Sequence, residues 1–411
     1  MRLLKKALRY LLITIVLAIV SVNLYVVLSG RFYLYKGVVN TYLIGQSGPG
    51  IYDKDVFHSA QLKAGNEEKW IFHEQYNTGT IPAELRTYIE DLGTTGYLVF
   101  YRDSLLYEEY WDDHKKSTLS NSFSMAKTVV GLLIGIAVEE GKIKKLDDKV
   151  VDYLPEFKGG GREKITIRHL LTMSSGLSWS ESGDNPLSDN AEGYYGWNTD
   201  NLAIQQDAIH KPGEVFRYQG GNTQLLAMIA ERVTGKHLTE YAQEKIWSKI
   251  GASRDAYWSL DEKDGSSKAF CCLYATSRDF AKLGKLLLHQ GKAGNEQVIP
   301  EWYYAEMIRP ASLKTKDGCE NRRYGFHIWT YFGMTNPVYY YRGLKGQYII
   351  AIPKEELLIV RVGHERKSNF SVPEHLQGDK EYIEQNKDNL GHSPDLFQYI
   401  ALGKMIKSQS K

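Results

Sequence analysis

The 411-residue chain sets 51 Lys and Arg against 49 Asp and Glu, a formal charge of +2, and 43% of it is hydrophobic. That near balance offers nothing to a polyanion, so no nucleic acid partner is expected, and the apolar content suffices for one large domain or two modest ones. Its 29 tyrosines suit extended sheet and an aromatic-lined cleft better than a helical bundle.

The amino terminus differs from the rest. Residues 1–10, "MRLLKKALRY", carry Arg2, Lys5, Lys6 and Arg9, and residues 11–29, "LLITIVLAIVSVNLYVVLS", contain no charge. Such a run spans the ~30 Å hydrocarbon core of a bilayer, and basic residues before it hold the amino terminus inside. The expectation is a basic cytoplasmic tail, a single-pass anchor in the cell membrane, and the remaining chain on the extracytoplasmic side, periplasmic or external. A cleaved signal peptide competes with this reading, but its apolar region is usually only about 7 to 15 residues long.

Residues 30–90 are mixed and glycine-containing ("LIGQSGPGIYDKD"), which predicts a linker and an irregular lead-in to a domain over 91–405. "TTGYLVFYRDSLLYEEYW" predicts two strands around an Arg102-Asp103-Ser104 turn. A helix opens at Ser124, and three more are predicted in "TIRHLLTMSSG", "GNTQLLAMIAERVTG" and "TSRDFAKLGKLLLHQG", ending on Gly176, Gly235 and Gly291. Strand signals return in "RYGFHIWTYF" and "PVYYYRGLKGQYIIAIPKEELLIVRVG", followed by a final helix, "PDLFQYIALGKMI". Strands at both ends with helices between them predict an α+β fold: an antiparallel sheet built from both ends of the chain, flanked by helices and interrupted by a helical insertion.

Three cysteines, Cys271, Cys272 and Cys319, fit an exported chain with at most one disulfide. Cys319 paired with one of the adjacent two is one expectation; three unpaired thiols is the other. Their spacing matches no zinc site, and neither metal nor organic cofactor is implied.

The chemistry centres on "NSFSMAKTVVGLLIGIAVEEGKI", where Ser124 and Lys127 lie one helical turn apart at the head of an apolar run. A helix N-terminus offers its amides and positive dipole end to a developing oxyanion, and apolar surroundings favour the uncharged amine that can accept the serine proton. The bland alternative is a Ser N-cap followed by a solvent-facing Lys. Ser-x-x-Lys alone is weak, for Ser408-Gln409-Ser410-Lys411 repeats it in a polar tail.

In order along the chain, "SFSMAK", "IRHLLTMSSGL", "KPGEVFRYQGGNTQLLAMIAERVTG" and "ATSRDFAKLGKLLL" resemble the serine β-lactamase and penicillin-binding-protein-like superfamily, in its class C branch. The motif details are most similar to 6-aminohexanoate-dimer (nylon-oligomer) hydrolase-like enzymes. The resemblance covers about residues 95 to 365 and implies a β-lactamase/transpeptidase-like fold. It makes Ser124 the acylated nucleophile, Lys127 its base, and Tyr218 the tyrosine that relays a proton to the leaving group. The usual asparagine two places beyond that tyrosine is Gly220, so that contact is either missing or supplied by Asn222. "YRGLKGQY" occupies the place of the substrate strand, with Gly343, Gly346 and Gln347 matching Gly-x-x-Gly-Gln, and the N–H groups of Ser124 and Leu344 forming the oxyanion hole.

Without Lys-Thr-Gly on that strand, the cation that would hold a β-lactam or peptide carboxylate is missing unless Lys345 or Arg342 replaces it. Ser188-Asp189-Asn190 spells a class A motif but sits in loop-like sequence, where turn chemistry explains it. His169 is expected to pack behind the site, and His327 and His364 to lie on strands. The expected activity is serine hydrolysis of an ester or amide, with a small or peptide-like substrate and the bilayer as partners. The alternatives are a D-alanyl-D-alanine peptidase or β-lactamase at the cell wall, and a non-catalytic binding or sensor module.

Overall fold

The computed structural model describes residues 2–183 and 185–410. Lys411, the last residue of the second Ser-x-x-Lys, lies outside them. Helix α1, Arg2–Ser29, has apolar side chains exposed along its length and is the one described helix long and apolar enough to cross a membrane, a description a signal sequence also meets. Helix α2, Tyr33–Val39, follows after Gly30 breaks the run.

Residues 30–90 are more than the predicted linker. Strand Ser59–Leu62 pairs antiparallel with Ala256–Ser259, Ile71–Phe72 pairs parallel with Ser104–Leu105, and helix Ala83–Asp91 packs on the sheet. Short strands without regular alternation carry little periodic signal, and their pairing partners are remote in sequence.

The predicted hairpin forms as β1, Thr94–Tyr101, and β2, Ser104–Tyr110. Arg102 and Asp103 both take positive φ, at 49° and 59°, the two-residue turn whose twist suits a hairpin. Helix α3, Met125–Glu139, is buried along nearly its whole length, so its sequence is apolar on every face. It packs against α4, Gly220–Thr234, which ends on Gly235 at φ 67° as predicted. Helix α5 is Ser277–Leu288. The segment predicted to be helical up to Gly176 stops at Leu171, because Met173 takes φ 55° and turns the chain away.

Four late strands follow: β3 (Trp329–Tyr331), β4 (Val338–Gly343), β5 (Gln347–Ile352) and β6 (Leu357–Gly363), then helix α6, Pro394–Gln409. The seven-stranded sheet runs β3-β4-β5-β6-β1-β2 and ends on Ile71–Phe72. The two ends of the domain therefore meet at β6 and β1, where Leu357 pairs with Tyr101 and Ile359 with Val99. Helix α5 covers one face through Leu358 and Ile349, and α6 the other through Ile359 and Tyr97. Strand β6 is buried on both faces, which explains its apolar run "LLIVRV", interrupted only by Arg361. The architecture is the expected α+β sheet flanked by helices. His327 and His364 fall just outside β3 and β6 rather than on strands.

Tight packing around α3 makes it sensitive to added volume. A Cβ at Gly135 would overlap the Tyr303 ring, so Gly135→Val is expected to cost about 1–3 kcal/mol, read as a lower unfolding midpoint of the detergent-solubilised chain. Acid should also weaken the fold. Burial lowers His327 to about 3 and His114 to about 4, both from 6.5. A histidine depressed in the folded state contributes its full stability above pH 6.5 and loses it as pH falls toward the folded value, at up to about 1.4 kcal/mol per pH unit each. The unfolding midpoint should therefore drop between pH 6.5 and 4, with a shallower slope in His327→Gln.

Candidate active site

Ser124 stands at the N-terminal boundary of α3, reached through Phe123 at φ 44°, an uncommon conformation for a bulky residue. Asn121 fixes this turn: its Oδ1 accepts from Phe123 N at 2.8 Å, and its Nδ2 donates to Tyr274 Oη at 3.1 Å. The Ser124 side chain makes no capping bond. Its Oγ instead lies 2.9 Å from Lys127 Nζ, and Lys127 is only 2% exposed. Both halves of the capping alternative, the side-chain cap and the solvated Lys, are absent from this arrangement.

Lys127 Nζ also donates to the carbonyl oxygen of Phe270 at 2.9 Å. Glu181 Oε1 lies 3.7 Å away, and the Tyr218 ring centroid 4.9 Å. Glu181 was not singled out in the sequence. Its Oε2 accepts from Trp179 Nε1 at 2.8 Å and from Gly220 N at 2.6 Å. This also explains the departure at Gly220: a Cβ there would stand 3.2 Å from the Phe270 ring and 3.4 Å from Glu181 Oε2. Glu181 lies in the loop sequence "SWSES", two residues ahead of Gly183, so an acid near this segment is the only hint the sequence holds. Phe270 had none, because it acts through its main chain.

Tyr218 is half-buried, with its ring packed against Trp329 at 5.4 Å and Tyr324 at 5.9 Å. The turn at 173–179 sets its position: Arg217 N donates to Met173 O at 2.7 Å, and Gln219 Nε2 donates to Leu177 O at 2.7 Å and Trp179 O at 2.8 Å. Among the described residues its hydroxyl makes no hydrogen bond.

Asn222 does not replace the missing asparagine. It is 0% exposed, its Oδ1 accepts from Ser175 Oγ at 2.6 Å and its Nδ2 faces Met173 Sδ, so it braces the turn from behind.

The end of strand β4 packs against the segment just before Ser124: a Cβ on Gly343 would overlap the carbonyl oxygen of Ser122. The Leu344–Gly346 turn is held from within. Gln347, also 0% exposed, donates to Leu344 O at 3.1 Å and Gly363 O at 2.6 Å, and Arg361 donates to Lys345 O at 2.7 Å and Gly346 O at 2.9 Å. Gln347 and the buried Gly346 therefore shape the turn and do not line the cleft with side chains. The N–H groups of Ser124 and Leu344 form no main-chain hydrogen bond among the described residues. Lys345 is half-buried at φ 59°, while Arg342 is engaged elsewhere, stacked 3.4 Å from the Trp329 ring centroid and donating to Gly391 O at 2.9 Å.

Ser188 caps the short helix Asp189–Tyr195, its Oγ accepting from Ala191 N at 3.2 Å, so the Ser-Asp-Asn tripeptide is helix-start chemistry. His169 caps its own helix start, and His327 is sealed between Leu171 O and Thr223. The cysteine expectation is corrected: Cys271 and Cys272 are joined to each other, and Cys319 is a buried free thiol held beside Thr315 and Arg323.

A serine at a buried helix start, with a lysine one turn on, on this two-ended sheet defines a β-lactamase/transpeptidase-like protein. The sequence profile of the Beta-lactamase family matches residues 85–382, and the chain belongs to that family, whose members are serine-hydrolase-like. The 6-aminohexanoate-dimer hydrolase of Paenarthrobacter ureafaciens is 26% identical over 240 residues, covering 56% of this chain and 60% of that enzyme. Among solved structures, a Bacillus anthracis protein provisionally assigned as a 6-aminohexanoate-dimer hydrolase superposes with a TM-score of 0.66 at 22% identity, over 80% of this chain and 90% of that one. A family VIII carboxylesterase gives 0.59 at 17% identity, over 82% and 99%. At these identities the structural likeness speaks for the fold.

Glu181→Gln retains an acceptor for Trp179 and Gly220 while removing the charge beside Lys127. The expected result is a fall in ester turnover on the order of tenfold with an unchanged unfolding midpoint. Glu181→Ala should also lower that midpoint, because two donors lose their acceptor.

Proposed function

We propose that this chain is a membrane-anchored serine hydrolase, held by residues 11–29, whose domain over 91–405 cleaves an ester or amide outside the cytoplasm. The observation that carries the reading is the 2.9 Å contact between Ser124 Oγ and the buried Lys127 Nζ. Ser124 Oγ attacks the substrate carbonyl carbon as the Lys127 amine takes its proton. The N–H groups of Ser124 and Leu344 hold the oxyanion. Tyr218 gives a proton to the leaving alkoxide or amine as the carbonyl re-forms, leaving an acyl ester on Ser124. Lys127 passes its proton on to Tyr218, which resets both groups; water then attacks the acyl ester as the neutral Lys127 amine takes its proton, and that proton returns to Ser124 Oγ as the acyl–oxygen bond breaks and the acid is released. The hydrolase relatives support this class of reaction. The engagement of Arg342 with Gly391 and Trp329 weighs against a carboxylate clamp for β-lactams or peptides.

The test is intact-mass labelling of the full chain in detergent with a fluorophosphonate and, separately, with a penicillin. One fluorophosphonate adduct is expected, lost in Ser124→Ala, with no stable penicillin adduct. Tyr218→Phe should lower turnover by about 10²–10⁴. Absence of any adduct would make the binding-module reading the better one, and a penicillin adduct would move the substrate to the cell wall.

A further inference from the structure

Immediately after α1 the chain displays an apolar surface that the proposed reaction does not use. Phe32, Val38, Val39, Tyr42, Leu43 and Ile44 are all exposed, Leu43 at 72% and Tyr42 at 64%. Adjacent exposed apolar residues in so short a stretch exceed the scattered ones normal on a soluble surface and mark a contact face.

The identity of that contact follows from where the chain holds the patch. Only Gly30, Arg31 and Phe32 separate α1 from α2, so α2 begins within about 10–15 Å of the end of α1. Tyr35 of α2 donates to Asn23 Oδ1 at 2.7 Å, and Asn23 precedes the end of α1 by about 9 Å along its axis. Helix α2 therefore lies beside the last turns of α1 rather than beyond them. If α1 spans a bilayer, α2 sits at the depth where hydrocarbon gives way to headgroups, a zone that favours tyrosine and tryptophan.

The opposite side of α2 is bound to the catalytic domain. Tyr33, 3% exposed, donates to Pro186 O at 3.0 Å, and Arg31 donates to Leu187 O at 3.1 Å and pairs with Glu192 at 3.7 Å. These acceptors belong to the segment that follows Glu181. On the same side, Trp197 is 51% exposed and Leu187 42%.

We propose that α2 and the following residues up to Ile44 form an interfacial foot, embedded in the lipid surface, that seats the domain on the bilayer with the segment 185–198 beside the membrane. The inference rests on the reading of α1 as a retained anchor.

The test uses the full chain reconstituted into phosphatidylethanolamine/phosphatidylglycerol vesicles, with an environment-sensitive thiol-directed fluorophore at Leu43→Cys. Leu17→Cys in α1 reports the anchor, Lys354→Cys on an exposed turn is the water control, and the unsubstituted chain is the labelling blank. Spin-labelled lipid should quench the probes at 43 and 17, and not at 354. Quenching at 17 without quenching at 43 overturns the foot while leaving the anchor intact. A blue-shifted but unquenched probe at 43 means a protein surface covers the patch, and also overturns it. Loss of quenching at both 17 and 43 removes the anchor reading, and the foot with it.

Discussion

The amine of Lys127 is the point on which the site turns. A lysine is rarely sealed inside a protein unless every donor has a purpose, because a buried charge or an unmet N–H is costly. Here the nitrogen meets a hydroxyl, a carbonyl and, slightly farther off, a carboxylate, contributed by α3, by the strap at Phe270 and by the loop carrying Glu181. Three elements distant in sequence must be in place together for that environment to exist. The glycine at 220 belongs to the same arrangement, since its N–H donates to the Glu181 carboxylate that faces the amine.

The strap from Lys268 to Leu273 is the less obvious half of this arrangement. Phe270 O receives Lys127, while Leu273 exchanges main-chain and side-chain bonds with Ser122, two residues before Ser124. Cys271 and Cys272 lie between these two attachments. At the other end Lys268 is fully buried, donating to Gly193 O and Gly196 O, and burial lowers it to about 7. One short stretch of backbone thus ties the serine, its lysine and the helix Asp189–Tyr195 into a single rigid unit.

Much of the fold was legible because its signals are local. The Arg102-Asp103 turn, the Gly235 cap, the apolar run of β6 and the helix behind Ser124 all follow from residues adjacent in the chain. The strands before residue 90 were missed, since two or four residues carry no usable period and their partners lie far along the sequence. At the site, residue types with known chemistry, Ser124, Lys127 and Tyr218, stood out, whereas a backbone carbonyl such as that of Phe270 is invisible to any reading of side chains. Asn222 and Gln347 were placed in the cleft on pattern alone. Burial assigns them instead to the scaffold, because an amide with no solvent-accessible surface has no face left for a ligand. The cysteines differ from both expectations, Cys319 bridged to one of the adjacent pair or three unpaired thiols, because the strap joins Cys271 to its own neighbour Cys272.

The seam between β6 and β1 has a further consequence for how the molecule is made. The register joins Tyr101 to Leu357 and Leu98 to Val360, so the central strand pair of the sheet closes a loop that contains the entire helical insertion. During synthesis β1 and β2 can pair only with each other and with Ile71–Phe72, and the β1 edge that receives β6 stays open until nearly the whole chain has emerged. Contacts of such sequence separation slow folding and leave apolar surface open to wrong partners in the interval. The nascent domain is thus expected to depend on a holding chaperone wherever it folds, and truncations before residue 357 to leave an unpaired, aggregation-prone edge rather than a smaller stable protein.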